Sequence, residues 1–206
     1  MYTARNVANR RAMRHTLAHG ATRLVVLALL GTPLLAQATA QEPDDAFARG
    51  AWHRELGAHV GIETWNYNIS HETMYGGSVG LSYGLGKGVA LVLSAPLYYI
   101  EQRTPDAWLL GFTWGARWRV LERKRLSLFL EGEVGVSRAE HYAPPGGTRF
   151  NYLALGMVGV TTRLKGGTHL LTGVKLVHVS NNGLAGRSRN PDIEAIGPRI
   201  AILTRF

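Results

Sequence analysis

The sequence contains no cysteine, which excludes a disulfide framework. It also lacks any apolar run of membrane-spanning length. The stretch LVVLALLGTPLLA, residues 24–36, has 13 residues, whereas a helix needs about 20 apolar residues to cross a bilayer. No stretch after residue 40 reaches that length. The sequence therefore predicts no membrane-spanning helix.

Acidic residues are absent from the first 41 positions of the chain. This leader carries five arginines, namely Arg5, Arg10, Arg11, Arg14 and Arg23. Together with the apolar run at 24–36 and the small-x-small segment Ala38-Thr39-Ala40, the arrangement is typical of a secretory signal peptide. We expect residues 1–40 to be cleaved and residues 41–206 to form the domain of an exported protein.

A strong net charge is also missing once the leader is set aside. The full chain has a formal charge of +9, and five of its 23 basic residues lie in the leader. The remaining chain has 18 basic and 14 acidic residues, a net charge of +4. Because this excess is small, we do not expect a nucleic-acid partner.

Apolar residues alternate with small or polar ones along most of the remaining chain, with the period of two that is typical of β-strands. Reading this period predicts eight strands. They span approximately residues 52–64, 73–85, 88–100, 107–121, 126–138, 149–164, 168–180 and 193–206.

One face of these strands is bulky and apolar, and the other is small or ionic. Leucines and valines of strand 126–138, for example, oppose Glu131 and Glu133, while the tryptophans of strand 107–121 oppose Arg117 and Arg119. A water-soluble barrel would place the bulky groups inside, whereas a lipid-facing barrel places them outside. We therefore expect the two acids to pair with the two arginines in a polar interior.

The pattern predicts an all-β fold, an eight-stranded antiparallel up-and-down transmembrane β-barrel. Eight strands enclose a space that side chains can fill, so we expect a plugged interior and no pore. A secreted soluble barrel or sandwich would also alternate, and it is the alternative.

The predicted connections alternate in length, which fits the same topology. The short ones read GK, ERKR and KGG, and the longer ones include AEHYAPPGGT and NNGLAGRSRNPD. Outer-membrane barrels have short periplasmic turns and longer outer loops, and the terminal Phe206 is typical of them. We expect the protein to reside in the outer membrane of a Gram-negative cell.

The segment HVSNNGLAGRSRNPDIE, residues 178–194, combines polar residues with an unusual orientation. By strand parity, His178, Ser180 and Glu194 all face the lipid near the outer ends of the last two strands. Neighbouring strands lie about 4.8 Å apart, so these side chains can meet. A serine beside a histidine that is oriented by a carboxylate is the arrangement for acyl transfer.

This segment resembles the lipid A 3-O-deacylases, the PagL family, through His178-Val179-Ser180-Asn181 and Asn190-Pro191-Asp192-Ile193-Glu194. The resemblance implies an eight-stranded barrel that removes the ester-linked hydroxyacyl chain at position 3 of lipid A. It implies Ser180 as the nucleophile, His178 as the general base and Glu194 as the residue that orients it.

The resemblance also suggests residues that support the reaction. Asn181, with the backbone around Gly183, is the candidate for oxyanion stabilisation, and Asn190 matches an asparagine of the family's second motif. From charge and location alone, Arg187 and Arg189 are candidates for binding the phosphates of lipid A. We expect lipid A or lipopolysaccharide as substrate, with no metal and no organic cofactor. The sequence leaves open whether the barrel forms a homodimer.

Other readings of these residues stay open at this point. His178 and Ser180 could belong to a polar girdle at headgroup level. The chain could be an outer-membrane phospholipase or acyltransferase, or a structural or adhesive barrel without enzymatic activity. His53, Glu55, His59 and Glu63 share one strand face, and we interpret them as barrel interior in preference to a metal site.

Overall fold

A computed structural model of the chain describes residues 44–64, 72–103, 105–186 and 189–206. The predicted leader at 1–40 and Arg187 lie outside these ranges. The described chain forms eight antiparallel strands that close into a barrel. They are β1 (Trp52–Glu63), β2 (Thr73–Gly86), β3 (Val89–Glu101), β4 (Ala107–Arg123), β5 (Leu126–Ala139), β6 (Phe150–Arg163), β7 (Thr168–Ser180) and β8 (Ile193–Arg205). The predicted fold is therefore confirmed.

Each strand pairs with its neighbours along the chain, and β1 closes the barrel by pairing with β8, where Leu56 lies opposite Ile202. Tight turns join the strands at one end, which we call the short-turn end. Lys87 and Lys124 have φ of 54° and 52° in two of these turns. The longer connections lie at the opposite, long-loop end, as the sequence predicts. No helix within the described ranges is long and apolar enough to cross a membrane.

The outer wall of the barrel is apolar. Trp108, Phe112 and Trp114 of β4 are about half exposed, and leucines and valines continue this surface on the other strands. Because alternate residues of a strand point to opposite faces, their neighbours Leu109 and Thr113 are fully buried in the interior. An outward apolar wall is the surface that a lipid-facing barrel presents.

The middle of the interior contains a network of buried ion pairs. The Arg117 guanidinium donates to both carboxylate oxygens of Glu55 at 3.0 Å and, through Nε, to Glu131 Oε2 at 2.6 Å. Arg199 approaches the other side of Glu131 at 2.9 Å. These side chains are almost wholly buried, so their pairing provides the compensation that buried charges need.

One predicted interior pair is wrong. Glu133 does not meet Arg119. It accepts hydrogen bonds from Thr113 Oγ1 at 2.6 Å and from Lys175 Nζ at 3.4 Å. Arg119 lies nearer the short-turn end, where it pairs with Asp45 at 2.9 Å. The strands tilt and stagger around a barrel, so the partner across the interior does not follow from sequence order.

The interior is less uniformly polar than the sequence predicts. Apolar clusters lie on both sides of the ionic network. The cluster near the long-loop end includes Met74, Ile100, Leu109, Leu153 and Val177. At the short-turn end, residues 44–51 insert Phe47 beside Phe129 and Leu203, and close the barrel there. Apolar side chains thus occupy the interior on both sides of the ionic network.

His53, Glu55, His59 and Glu63 all face this interior, as their parity predicts. Glu55 belongs to the ionic network. The ring of His53 packs edge-on against the ring of His169, with centroids 5.5 Å apart. These residues are therefore part of the filled lumen.

Candidate active site

The candidate site is built on the last two strands, at their long-loop ends. His178 and Ser180 share the outward face of β7, while Val177 and Val179 between and before them are fully buried inside. Residues two apart on a strand point the same way, so the imidazole and the hydroxyl are neighbours on the wall. The His178 Nε2 and Ser180 Oγ atoms lie 3.0 Å apart, which is hydrogen-bond distance.

Glu194 enters the site through strand register. It is the direct cross-strand partner of His178 in the β7–β8 ladder, and side chains at such positions are in contact. Its Oε1 atom lies 3.4 Å from His178 Nδ1, which is long for a hydrogen bond. The N–H group and the hydroxyl of Thr64 both donate to the Glu194 carbonyl, at 3.0 and 3.2 Å, and hold the start of β8.

The structure therefore brings together the three side chains that the sequence singles out. The imidazole has the hydroxyl on one nitrogen and the carboxylate on the other. His178 and Glu194 are 17% and 18% exposed, and Ser180 is 8% exposed. The three groups are thus partly shielded from solvent and still open on the outer wall. This arrangement can deprotonate the serine during attack on an ester.

Asn181 begins the loop that follows β7, and its side chain holds that loop together. Its amide nitrogen donates to the Arg189 carbonyl, and its Oδ1 accepts from the Gly183 N–H at 2.9 Å. Asn182 and Gly183 have φ of 52° and 77°, and the Leu184 N–H donates to the Asn181 carbonyl at 3.1 Å. This is an Asn-Gly turn, in which both central residues are left-handed.

These contacts bear on the predicted oxyanion groups. The Gly183 N–H and one hydrogen of the Asn181 amide are engaged within the loop. Oxyanion stabilisation stays a prediction, and the second amide hydrogen of Asn181 is the group to which it applies. Asn190 is half-buried, and its Oδ1 is shielded without a hydrogen-bond partner among the described residues.

Arg189 is an exposed residue at the far end of the same loop. Its guanidinium stacks over the ring of Tyr142, 5.5 Å from the centroid, and donates to the Gly147 carbonyl at 3.4 Å. Arg189 thus links the loop after β7 to the loop after β5. Its phosphate-binding role stays a prediction, and the same holds for Arg187, which is outside the described residues.

Several residues that the sequence does not single out surround the site. Register places Tyr152 of β6 opposite Ser180, and Ala154 opposite His178. Asp192 approaches His178 and Glu194 closely enough that one ligand atom from each lies within 4.8 Å of the others. Asp192 lies two residues before Glu194, and residues two apart on an extended chain point to the same side. The sequence alone therefore indicates that both acids share one face.

Comparison with known proteins supports the fold and adds no sequence relative. No protein-family model matches the chain, and no curated protein matches its sequence. The crystal structure of the outer membrane enzyme PagL is similar, with a TM-score of 0.51 and 18% sequence identity, covering 74% of this chain and 99% of PagL. At this identity the likeness is one of fold.

OmpT, an outer membrane protein of Vibrio cholerae, matches with a TM-score of 0.28 and 12% identity, over 76% of this chain and 50% of OmpT. With a TM-score this low, the second likeness carries no argument, and the conclusion on the fold depends on the strands of the chain itself. The described chain is therefore an eight-stranded barrel of the kind found in outer-membrane proteins, with a serine, a histidine and a glutamate together on its outer wall.

Proposed function

We propose that the protein is an outer-membrane esterase that removes the ester-linked 3-hydroxyacyl chain at position 3 of lipid A. The observation that carries this proposal is the contact of Ser180 Oγ with His178 Nε2, at 3.0 Å, backed by Glu194 on the other imidazole nitrogen. A structural barrel has no need for such a set of polar groups on its lipid-facing wall, where ionisable residues are costly.

In the proposed reaction, Ser180 Oγ attacks the ester carbonyl and His178 Nε2 takes its proton. The tetrahedral intermediate collapses, the carbon–oxygen bond to the sugar breaks, and His178 returns the proton to the leaving sugar hydroxyl. Water then attacks the acyl-enzyme with the same histidine as base. Glu194 holds the imidazole in the tautomer that leaves Nε2 unprotonated at the start and stabilises the imidazolium that forms.

The location of the site supports a lipid substrate. His178 and Glu194 lie at the long-loop ends of their strands, which face the outer leaflet in outer-membrane barrels. Toward the bilayer, the wall continues with apolar residues, including Val174 and Ile200. An acyl chain can lie along this wall while its ester reaches Ser180, and the segment 178–194 resembles the lipid A 3-O-deacylases.

The decisive experiment compares lipid A from cells that express the wild-type chain with lipid A from cells that express Ser180→Ala. Mass spectrometry should show the loss of one hydroxyacyl group with the wild type and unmodified lipid A with the variant. Thr172→Ala, on the same outward face of β7 and distant from the imidazole, is the matched control and should behave as wild type.

The alternatives give different outcomes in the same experiment. An acyltransferase would raise the mass of lipid A, and a phospholipase would change phospholipids and leave lipid A unaltered. A structural or adhesive barrel would change neither. Full deacylation by a folded Ser180→Ala variant would remove the serine from the mechanism.

Phosphate recognition is tested by replacing Arg187 and Arg189 together with Ala. If both guanidinium groups meet the lipid A phosphates, turnover of lipid A should fall, while hydrolysis of a small uncharged ester should stay unchanged. Equal kinetics on lipid A for the double variant and the wild type would contradict this role.

A further inference from the structure

A second carboxylate, that of Asp192, lies beside His178 and Glu194 of the proposed catalytic residues. Asp192 directly precedes β8, two residues before Glu194, and both carboxylates approach the His178 imidazole from the β8 side. One ligand atom from each of the three residues lies within 4.8 Å of the other two. Within the part of the chain that the structure describes, this is the one group of three or more metal-ligating side chains.

The backbone holds these donors in place. His178 and Glu194 are opposite each other in the β7–β8 ladder, and Thr64 donates twice to the Glu194 carbonyl. Two of the three donors, His178 and Glu194, therefore come from strands whose relative position is fixed by hydrogen bonding, which limits the conformational entropy lost when a ligand binds. All three side chains are half-buried, so an ion can reach them from solvent.

The donor set indicates which cations would bind. Imidazole suits Zn²⁺, Cu²⁺ and Ni²⁺, whereas Mg²⁺ and Ca²⁺ prefer oxygen ligands alone. One histidine and two carboxylates are donors that Zn²⁺ accepts, with room for water at a fourth position. The His178 Nδ1 atom is shielded and has no hydrogen-bond partner among the described residues, because Glu194 Oε1 is 3.4 Å away. A dication would bridge this gap and offset the repulsion between two neighbouring carboxylates.

We propose that His178, Asp192 and Glu194 form a binding site for a divalent transition-metal ion such as Zn²⁺, and that the bound ion inhibits the esterase. The inhibitory part rests on the proposed function, whereas metal binding itself does not. A metal on Nδ1 of a neutral imidazole leaves the proton on Nε2. His178 then cannot accept the Ser180 proton, and Glu194 is withdrawn from its orienting role.

Binding is tested on the purified full-length protein in detergent, with Zn²⁺ by calorimetry and Co²⁺ by its absorption spectrum. Ser180→Ala should bind both ions as wild type does. Asp192→Asn should weaken binding at least tenfold, as expected for loss of a carboxylate ligand. Asp106→Asn, which alters an acid of the loop after β3, is the matched control and should not change the affinity. Absence of binding, or equal affinity of the Asp192→Asn variant and the wild type, would overturn the site.

Inhibition is measured separately on lipid A turnover. Zn²⁺ should lower the wild-type rate, and a chelator should restore it. With each protein's inhibition scaled to its own rate in chelator, Asp192→Asn should require at least tenfold more Zn²⁺ than the wild type for the same fractional inhibition. Metal binding without loss of rate, or a rate that requires Zn²⁺, would overturn the inhibitory role. If the wild type deacylates nothing, the proposed function fails, while the binding measurements still decide whether the metal site exists.

Discussion

At the scale of the residue, the site depends on which way single side chains point. Strand period alone predicts that His178 and Ser180 face outward, and the structure places them there, with His178 Nε2 and Ser180 Oγ 3.0 Å apart. Parity fixes the direction of a side chain, because successive residues of a strand alternate. Contacts made by loops do not follow from parity. The sequence therefore does not predict the hydrogen bond from Thr64 to the Glu194 carbonyl, or the one from the Asn181 amide to the Arg189 carbonyl.

The role of Glu194 is tested by Glu194→Gln, which keeps the size of the side chain and removes its charge. Because the amide can hold the imidazole in the wrong tautomer and cannot stabilise the imidazolium, kcat should fall by roughly 10²–10⁴-fold. Steady-state kinetics on lipid A in detergent micelles measure this. Glu140→Gln, in the loop after β5, is the control and should keep the wild-type rate. A variant with unchanged kcat would show that the carboxylate is not part of the mechanism.

At the scale of the element, the loop after β7 is tied by one side chain. Asn181→Ala removes both side-chain hydrogen bonds, to Arg189 and from Gly183, whereas Asn181→Asp keeps the acceptor for Gly183. Each such bond contributes about 1 kcal/mol. The Ala variant loses two such bonds, about 2 kcal/mol, so trypsin should cleave its loop roughly 30-fold faster, and the Asp variant should lie between it and wild type. Equal cleavage rates in all three proteins would contradict this account of the loop.

Strand contacts make a second prediction at this scale. A Cβ on Gly197 of β8 would lie 1.9 Å from the Val60 carbonyl oxygen, whereas a Cβ on Gly156 of β6 meets nothing within 4 Å. Gly197→Ala should therefore force the β1 and β8 backbones apart and destabilise the barrel by about 1–3 kcal/mol. Urea unfolding followed by gel mobility measures the loss, with Gly156→Ala as the matched control. Similar midpoints for both variants would mean that the seam between β1 and β8 adapts freely.

At the scale of the whole molecule, strand number, order and outward faces follow from the sequence, because the period of two and the alternating loop lengths are local signals. The interior is less predictable. Leu153 and Leu155 of β6 are buried in an apolar cluster, which a small or ionic inner face does not predict. Phe47 precedes the first strand, and nothing in its local pattern indicates that it enters the barrel. Such contacts depend on how the closed strands tilt.

The ionic network links buried charges of β1, β4, β5 and β8 across the barrel interior. Replacing Arg117 with Met removes one of the two arginines that pair with both Glu55 and Glu131. Arg199 still pairs with these two buried acids, at 3.7 and 2.9 Å. Removing one member of a buried ion pair typically costs about 3–5 kcal/mol. We therefore expect Arg117→Met to lower the free energy of unfolding by about that amount, measured by urea titration in lipid vesicles.

The matched control lies at the short-turn end, where Arg163 and Glu122 pair at 3.9 Å with both side chains partly exposed. This pair is longer and less buried than the ionic network, so Arg163→Met should cost less than Arg117→Met. The difference between the two arginine variants isolates the effect of burial, because the substitution is the same. If both variants unfolded at the same urea concentration, burial would not strengthen the pairing of Arg117 with Glu55 and Glu131.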